Sequence, residues 1–170
     1  MTQLTRRPVL GLLAGFAFAP GAALAQTPLR IEITEGVIEP VPYAIPDFVP
    51  ENGAAGQYAQ SIARVIANNL SGTGLLREIP ASAQIGRITS FESPVQFSDW
   101  RAVNTRALIT GAVRVNGNQI TVKFRLFDVV SGQQLGDGLQ LDGNTDAWRR
   151  MAHRVSDQVY ARLTGEAGYF

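Results

Sequence analysis

The sequence predicts an α/β (α+β) fold in which two long helices cover one face of a mixed β-sheet, with an amino-terminal strand-like tail. Residues 55–70 and 148–163 repeat apolar side chains at the spacing of one buried helix face. Residues 107–128 alternate apolar and polar side chains around an Asn-Gly turn, which is typical of a β-hairpin. A helix with one apolar stripe must bury that stripe, and a sheet face can cover it.

Residues 1–25 are predicted to be a signal peptide that is not part of the fold. They have paired arginines near the start (Arg6 and Arg7), a short apolar run at 9–19, and small residues at the end. Cleavage is expected between Ala25 and Gln26. The apolar run is too short for a membrane span, so none is expected after the signal is removed. The paired arginines leave the Sec and twin-arginine export routes both open.

The remaining chain is almost neutral and has no cysteine. The whole sequence has 15 basic and 14 acidic side chains, and removing the two signal arginines leaves a net charge of −1. A balanced charge gives no basic footprint for nucleic acid, so no nucleic-acid partner is expected. The absence of cysteine excludes disulfides, thiolate metal sites and cysteine nucleophiles.

Residues 26–40 are predicted to be a tail that precedes the domain at 41–170. Its apolar residues Leu29, Ile31 and Ile33 alternate with polar ones, which is a strand pattern. The prolines that follow stiffen the linker to the domain. Chain ends usually fray unless they are tied down. The strand is therefore expected to pair either within its own sheet or with a partner.

The first half of the domain is predicted to hold a strand, a helix and a second strand. The first strand, at 41–48, contains prolines that suit an edge or an irregular position. The helix over 55–70 is expected to start at a cap formed by Asn52 or Gly53. A short strand follows in the sequence LLREIP, and residues 81–96 are irregular.

The second half is predicted to hold a short helix and a three-strand meander. Ser98 is expected to cap the short helix. Gly111 lies inside the first strand of the hairpin and is expected to mark a bulge or a close approach. A third strand is expected near 133–141, after a Ser-Gly turn.

The chain is predicted to close with a helix over 148–163. Asn144 or Thr145 is expected to cap its start. Gly165 is placed where a left-handed glycine commonly ends a helix.

Catalytic and ligand-binding patterns are absent from the sequence. His153 is the only histidine, and with no neighbouring carboxylate it is expected to serve packing or to lie on the surface. No phosphate-cradling loop, metalloprotease motif or hydrolase elbow occurs. Glu32, Glu35 and Glu39 are spread along an extended segment and do not cluster. We therefore expect no catalytic, cofactor or metal site, and a protein that is not an enzyme.

Four segments carry a family pattern: LRIEITEGV after the signal, ALITGAV and FRLFDVVSGQQL in the meander, and AHRVSDQVYARLTGEAGYF at the end. The closing segment is the most specific of the four. Together they resemble the amino-terminal domain of the TolB family, the periplasmic component of the Tol-Pal system. The resemblance covers residues 29–170.

The resemblance implies a periplasmic adaptor that maintains outer-membrane integrity and supports envelope constriction at division. In the family a six-bladed β-propeller follows this domain and binds the lipoprotein Pal and colicins. The chain ends at Phe170 without a propeller, so those partners are expected only where a propeller is present. The family's amino-terminal segment binds the carboxy-terminal domain of TolA. The matching positions are Leu29, Arg30, Ile31, Glu32, Ile33, Thr34, Glu35, Gly36 and Val37.

Two other functions remain open from the sequence. The first is a stand-alone periplasmic α/β module of outer-membrane assembly or peptidoglycan-synthase activation, against which the missing lipid-attachment cysteine argues. The second is a small secreted hydrolase or ligand-binding protein, for which only His153 and scattered carboxylates are available.

Overall fold

The structure is a computed structural model that describes residues 29–31 and 39–170. The strands are β1 (Val41–Ala44), β2 (Val49–Pro50), β3 (Leu76–Glu78), β4 (Ala107–Asn116), β5 (Gln119–Asp128), β6 (Gln133–Gln134) and β7 (Leu139–Asn144). The helices are α1 (Gly56–Gly72), α2 (Phe97–Ala102) and α3 (Trp148–Thr164).

The strands of the described residues form one mixed sheet, which confirms the predicted fold class. The sheet order is β3-β1-β4-β5-β6, with β2 also paired to β4 and β7 also paired to β5. The pairs of β1 with β3 and β4, and of β2 with β4, are parallel. Strands β4 to β7 form an antiparallel meander. The long central strand β4 therefore joins a parallel half to an antiparallel half.

The two long helices pack together against one face of the sheet, which we call the inner face. The apolar stripe of α1, including Ile62, Ile66 and Leu70, is fully buried, because its 3.6-residue repeat places these side chains on one side. The inner face also buries alternate residues of the long strands, such as Val122 and Phe124. The predicted arrangement of two helices over one face is confirmed.

The opposite, outer face has a smaller apolar cluster and a different cover. Trp100 of the short helix α2 is fully buried there, against a second set of buried sheet residues. Phe97 of the same helix meets Phe127 edge-on, with ring centroids 5.6 Å apart. Residues 81–96 are predicted to be irregular; Ala81–Ala83 form a 3₁₀ turn, and residues 84–96 hold no helix or strand.

Two predicted strands are not continuous in the structure. The predicted strand at 41–48 ends with β1 at Ala44, residues 45–48 are not strand and include the buried Phe48, and β2 lies just beyond the predicted range. The predicted third strand at 133–141 is β6 and β7. Between them Gly136 takes a left-handed conformation, with φ of +70°. A left-handed residue interrupts the strand geometry, so pairing with β5 stops and then resumes.

The predicted β-hairpin is present, with its turn one residue later than an Asn-Gly turn would place it. Strands β4 and β5 pair over their full length, and Asn116 lies opposite Gln119. The two-residue turn is thus Gly117 and Asn118, and Gly117 has φ of +58°. Glycine with positive φ at the first central position is the pattern of a type II′ turn, whose twist suits a hairpin.

The predicted side-chain caps at the helix starts are wrong, because those side chains bind elsewhere. Helix α1 follows a short 3₁₀ turn, and the Asn52 amide instead binds both backbone groups of Val115. Ser98 lies inside α2 and bonds its neighbour Asp99. At α3 no side chain caps the start. The Thr145 hydroxyl instead donates to Oδ1 of Asn118 in the hairpin turn.

Gly165 ends α3 as predicted, and Gly111 marks the predicted close approach. Gly165 has φ of +80° and donates its N–H to the carbonyl of Ala161 at 2.8 Å. At Gly111 any Cβ would collide with the ring of Phe48. The strand pairing continues through Gly111 opposite Phe124, so this glycine makes room for a ring and forms no bulge.

Candidate functional site

The described part of the tail is docked on the carboxyl end of α3. The Ile31 N–H donates to the carbonyl of Leu163 at 2.7 Å. Ile31 is 6% exposed and belongs to the inner apolar cluster, against which Leu29 also packs. The last carbonyls of a helix have no partner within the helix. Ile31 supplies one of them with a donor, so the tail completes the helix end.

Gly165 makes this docking sterically possible. It lies just after α3, and a Cβ built on it would collide with the guanidinium of Arg30. Its positive φ is also one that other residues adopt with strain. The same glycine therefore ends the helix and leaves space for the tail that crosses the helix end.

The strand predicted in the tail lies mostly outside the described residues. Residues 29–31 have no strand assignment, and Ile31 bonds a helix carbonyl and not a neighbouring strand. Residues 32–38, which hold the other proposed partner-binding positions, lie outside the described residues. The predicted signal peptide and its cleavage site at Ala25 and Gln26 lie outside them too. Strand pairing by the tail stays a prediction.

Both ends of the tail segment border one cleft, of about 310 Å³. Leu29 and Arg30 line it from the side of α3, and Glu39 and Pro40 line it where the chain is described again. Arg77 of β3 and Arg106, just before β4, also line it. The cationic side chains of the cleft therefore outnumber its single carboxylate, that of Glu39. The described residues on both sides of positions 32–38 thus border the same basic cleft.

The residues after α3 fold back on the same helix. The N–H of Phe170 donates to the carboxylate of Asp157 at 3.0 Å. Tyr160 of α3 meets the rings of Tyr169 and Phe170 edge-on, at centroid distances of 5.5 and 6.0 Å. Phe170 packs on the inner apolar cluster, as Leu29 does. The carboxyl half of α3 therefore holds both the tail and the segment at 165–170.

His153 serves packing between the long helices. The Asn69 amide of α1 donates to Nδ1 of His153 and to the hydroxyl of Ser156, both at 2.9 Å. The Ser156 hydroxyl donates in turn to the carbonyl of Ala152. An accepting Nδ1 places the ring proton of a neutral imidazole on Nε2. These bonds join α1 to α3, as the packing role predicted for His153 requires.

Four groups of the described residues have shifted pKa values, Tyr43, Glu51, Asp142 and Arg162, and each shift has a structural cause. Burial raises the pKa of Tyr43 to about 12, and its hydroxyl binds the carbonyl of Ala67 and the hydroxyl of Ser71, each at 2.9 Å. Partial burial of Glu51 acts to raise its pKa, but hydrogen bonds from Lys123 and Arg114 outweigh burial and lower it.

Metal-ligand clusters and membrane spans were sought in residues 29–31 and 39–170. Within those ranges, no three histidine or acidic side chains group in a way that could hold a metal ion. None of the helices described there is both long enough and apolar enough to cross a membrane.

Comparison with known proteins adds a family to this geometry. The family model of the TolB amino-terminal domain matches residues 29–135. The Tol-Pal system protein TolB of Cereibacter sphaeroides is 62% identical over 149 residues, which cover 88% of this chain and 34% of that protein. The Tol-Pal system protein TolB of Ruegeria sp. is 56% identical over 168 residues, which cover 97% of this chain and 38% of that protein.

A solved structure supports the fold. TolB from Acinetobacter baumannii superposes with a TM-score of 0.63 and 24% identity, over 76% of this chain and 30% of that one. The fold and the matches together define a domain of the Tol-Pal cell-envelope system. The chain belongs to the TolB amino-terminal domain family. It spans about a third of the length of the curated relatives it matches.

Proposed function

We propose that the chain is a periplasmic adaptor of the Tol-Pal system that binds the carboxy-terminal domain of a TolA-like partner through residues 29–37. In this role it contributes to outer-membrane integrity and to envelope constriction at division. It acts by protein–protein contact and not by catalysis, and it reaches the periplasm through its amino-terminal signal. Pal and colicin binding, which the family resemblance assigns to the propeller, is not proposed for these residues.

The observation that carries the proposal is the way the tail is held. An alternating, strand-like sequence is docked at Ile31 by a main-chain hydrogen bond and by burial of its side chain. An isoleucine side chain contributes about 1.5–3 kcal/mol on burial and a hydrogen bond about 1 kcal/mol. A partner that pairs with several tail residues can exceed this sum, because strand addition forms a series of main-chain hydrogen bonds.

Docking and partner binding compete for the same groups of the tail. The Ile31 N–H cannot donate to Leu163 and to a partner strand together, and its side chain cannot be buried in both places. A partner therefore selects the released tail from an equilibrium of docked and released forms. In the docked form, the domain keeps the apolar side chain of Ile31 buried until a partner binds.

The test is capture of the full chain by the carboxy-terminal domain of a TolA-like protein. We expect capture by the unchanged chain and none after deletion of residues 26–38. Equal capture by both chains would overturn the proposal. Circular dichroism of the deletion variant checks that the domain is still folded.

Two substitutions at one position separate release of the tail from pairing by the tail. Ile31→Ala removes most of the buried side chain but keeps the N–H, so it should loosen docking and leave capture equal or stronger. Ile31→Pro loosens docking and also removes the N–H that a partner strand would use. We expect Ile31→Pro to abolish capture. Equal capture by the two variants would contradict main-chain pairing at this residue.

A further inference from the structure

The outer face of the sheet holds an arginine with unsatisfied hydrogen-bond donors. Arg125 follows Phe124 in β5, and alternation turns its side chain away from the inner cluster. Its Nε and Nη2 atoms are buried, and neither has a hydrogen-bond partner among the described residues. Buried donors are nearly always paired, and an unpaired donor on a charged group is costly.

The two unmet donors lie on the same edge of the guanidinium. Nε–H and one Nη2–H point in parallel, which is the fork that binds both oxygens of a carboxylate. The nearest acid is Glu92, whose carboxylate oxygen lies 3.8 Å from Nη2. That distance gives an ion pair but no hydrogen bond. The Glu92 side chain is 81% exposed, so it is a loosely held neighbour of the fork.

The neighbouring cation on this face is, by contrast, paired with an acid. Lys123, two residues earlier on the same face, donates to Glu51 at 3.0 Å. Arg114 donates to the other oxygen of Glu51 at 2.9 Å. Glu51 is therefore fully used by two cations, and no acid of the described residues binds Arg125 in the same way.

Arg125 lines a cleft at the edge of the sheet, and its fork is covered from solvent there. Phe91 stacks on Arg125, with the guanidinium carbon 4.0 Å from the ring centroid. The cleft has a volume of about 410 Å³, and Leu139 and Gln140 of β7 form its other wall. Among the described residues, β7 pairs with β5 on one side and with no strand on the other. Such an edge presents free main-chain groups to an added strand.

We propose that this cleft binds an acidic peptide segment, which adds to β7 as a strand and places a carboxylate on the fork of Arg125. Adjacent strands lie about 4.8 Å apart, so an added strand lies about 10 Å from β5. A long arginine and a glutamate side chain together span that gap. Gly138 lies beside the stem of Arg125, where an added Cβ would be 3.5 Å from Cγ. This site is distinct from residues 29–37 and does not depend on their function.

The binding step exchanges one carboxylate for another. The incoming carboxylate accepts both hydrogen bonds from Arg125, while Glu92 moves away into solvent. Glu92 thus competes with the ligand, while Phe91 stays stacked on the guanidinium. Since charge-assisted pairs of this geometry are strong, the acid of the peptide should carry most of its selectivity.

The test measures binding of two short peptides to the full chain. The probes are the blocked peptides TVTETVT and TVTQTVT, which differ only in the central acid, with sodium acetate as a third probe. Nuclear magnetic resonance follows the Nε–Hε signal of Arg125 and the backbone signals of β7. We expect about tenfold tighter binding of the acidic peptide, which is the factor of one charge-assisted hydrogen bond.

Three variants decide the assignment. Arg125→Gln should bring the ratio between the two peptides close to one, while circular dichroism shows an unchanged fold. Glu92→Gln should tighten binding of the acidic peptide several-fold, because the competing carboxylate is removed. Arg149→Gln, which changes an arginine stacked on Trp148, is the matched control and should leave the ratio unchanged.

Several results would overturn the proposal. These are no binding of the acidic peptide at about 5 mM, a concentration that detects even weak affinity, or equal binding of the two peptides. Weaker binding after Glu92→Gln would also overturn it, since it would make Glu92 part of the site. If acetate shifts the Arg125 signal while no peptide shifts the β7 signals, the peptide ligand is wrong.

Discussion

The two faces of the sheet are covered by different means. The inner face lies under two long helices, and the buried hydroxyl of Tyr43 there is hydrogen-bonded to Ala67 and Ser71. The outer face lies under a short helix and an irregular segment. The described buried side-chain atoms without a hydrogen-bond partner belong to Trp100, Thr105 and Arg125, and none of these is in the inner cluster. The comparison indicates that stability is concentrated on the inner face, and that unused polar groups are concentrated on the outer face.

The largest expected effect comes from truncating a phenylalanine on each face. Phe124→Ala empties a fully buried inner site and should lower the free energy of unfolding by roughly 3–5 kcal/mol. Phe91→Ala removes an outer ring that stacks on Arg125 and lies near Lys123, and it should cost about 1 kcal/mol or less. Urea unfolding of both variants measures the difference. Similar losses would show that the outer cover is as important to stability as the inner one.

A smaller effect is expected at the crossing of Phe48 and β4. Gly111→Ala forces the buried ring of Phe48 away from the strand and should destabilise the domain by roughly 1–3 kcal/mol. Gly53→Ala is the matched control, because a Cβ there meets no atom within 4 Å. A thermal melt of the two variants suffices. A stable Gly111→Ala would mean that Phe48 can repack without cost.

The inner hydroxyl of Tyr43 should make stability depend on pH in the alkaline range. The raised pKa of about 12 means that the folded state holds its proton more tightly than the unfolded state, whose tyrosine titrates near pH 10. Its contribution is therefore complete below about pH 10 and is lost as the pH rises towards 12. At pH 11 the loss should be on the order of 1 kcal/mol.

Comparison with Tyr43→Phe isolates this contribution, since the variant keeps the other alkaline groups. Urea unfolding of both chains at pH 9 and pH 11 gives the two differences. We expect the unchanged chain to lose more stability over this interval than the variant does. Equal losses would show that the Tyr43 hydroxyl is not held as described.

The smallest effect is expected at the outer carboxylate of Glu51. Its lowered pKa stabilises the fold at neutral pH, and this contribution is lost as the pH falls through the folded-state pKa. Since Arg114 is largely exposed, solvent screens the pair. Glu51→Gln should cost less than about 1 kcal/mol at pH 7 and still less at pH 3. A larger loss at pH 3 than at pH 7 would reverse the sign of the argument.

The sequence predicted those parts of the fold that depend on local patterns. The stripes of α1 and α3, the hairpin of β4 and β5 and the left-handed Gly165 follow from spacing and turn chemistry within short segments. The caps failed because they depend on distant partners: the Asn52 amide binds Val115, which the sequence alone does not bring near. The early end of the first strand was also missed; Phe48, which follows it, packs over Gly111, and this is likewise a long-range contact.

The candidate site was predicted as a strand that pairs within its own sheet or with a partner, and not as a segment docked on a helix end. Alternation indicated that residues 29–34 form a strand and left its pairing open. The contact of Ile31 with Leu163 is with a helix end, which no strand pattern predicts. The free carbonyls at the end of α3 were the available signal. The unsatisfied donors of Arg125 could not be predicted from the sequence either, because they depend on where Phe91 and Glu92 lie in the folded chain.

The sheet order has a consequence for how the chain folds. The amino-terminal half supplies only the short parallel pair of β1 and β3, and its remaining sheet partner is β4, from the second half. The hairpin of β4 and β5, by contrast, is continuous and local. Since contacts distant in sequence form slowly, we expect the hairpin to protect its amides first in pulse-labelled hydrogen exchange. During synthesis from the amino terminus, the first half of the chain can therefore complete its part of the sheet only after residues 107–128 have been made.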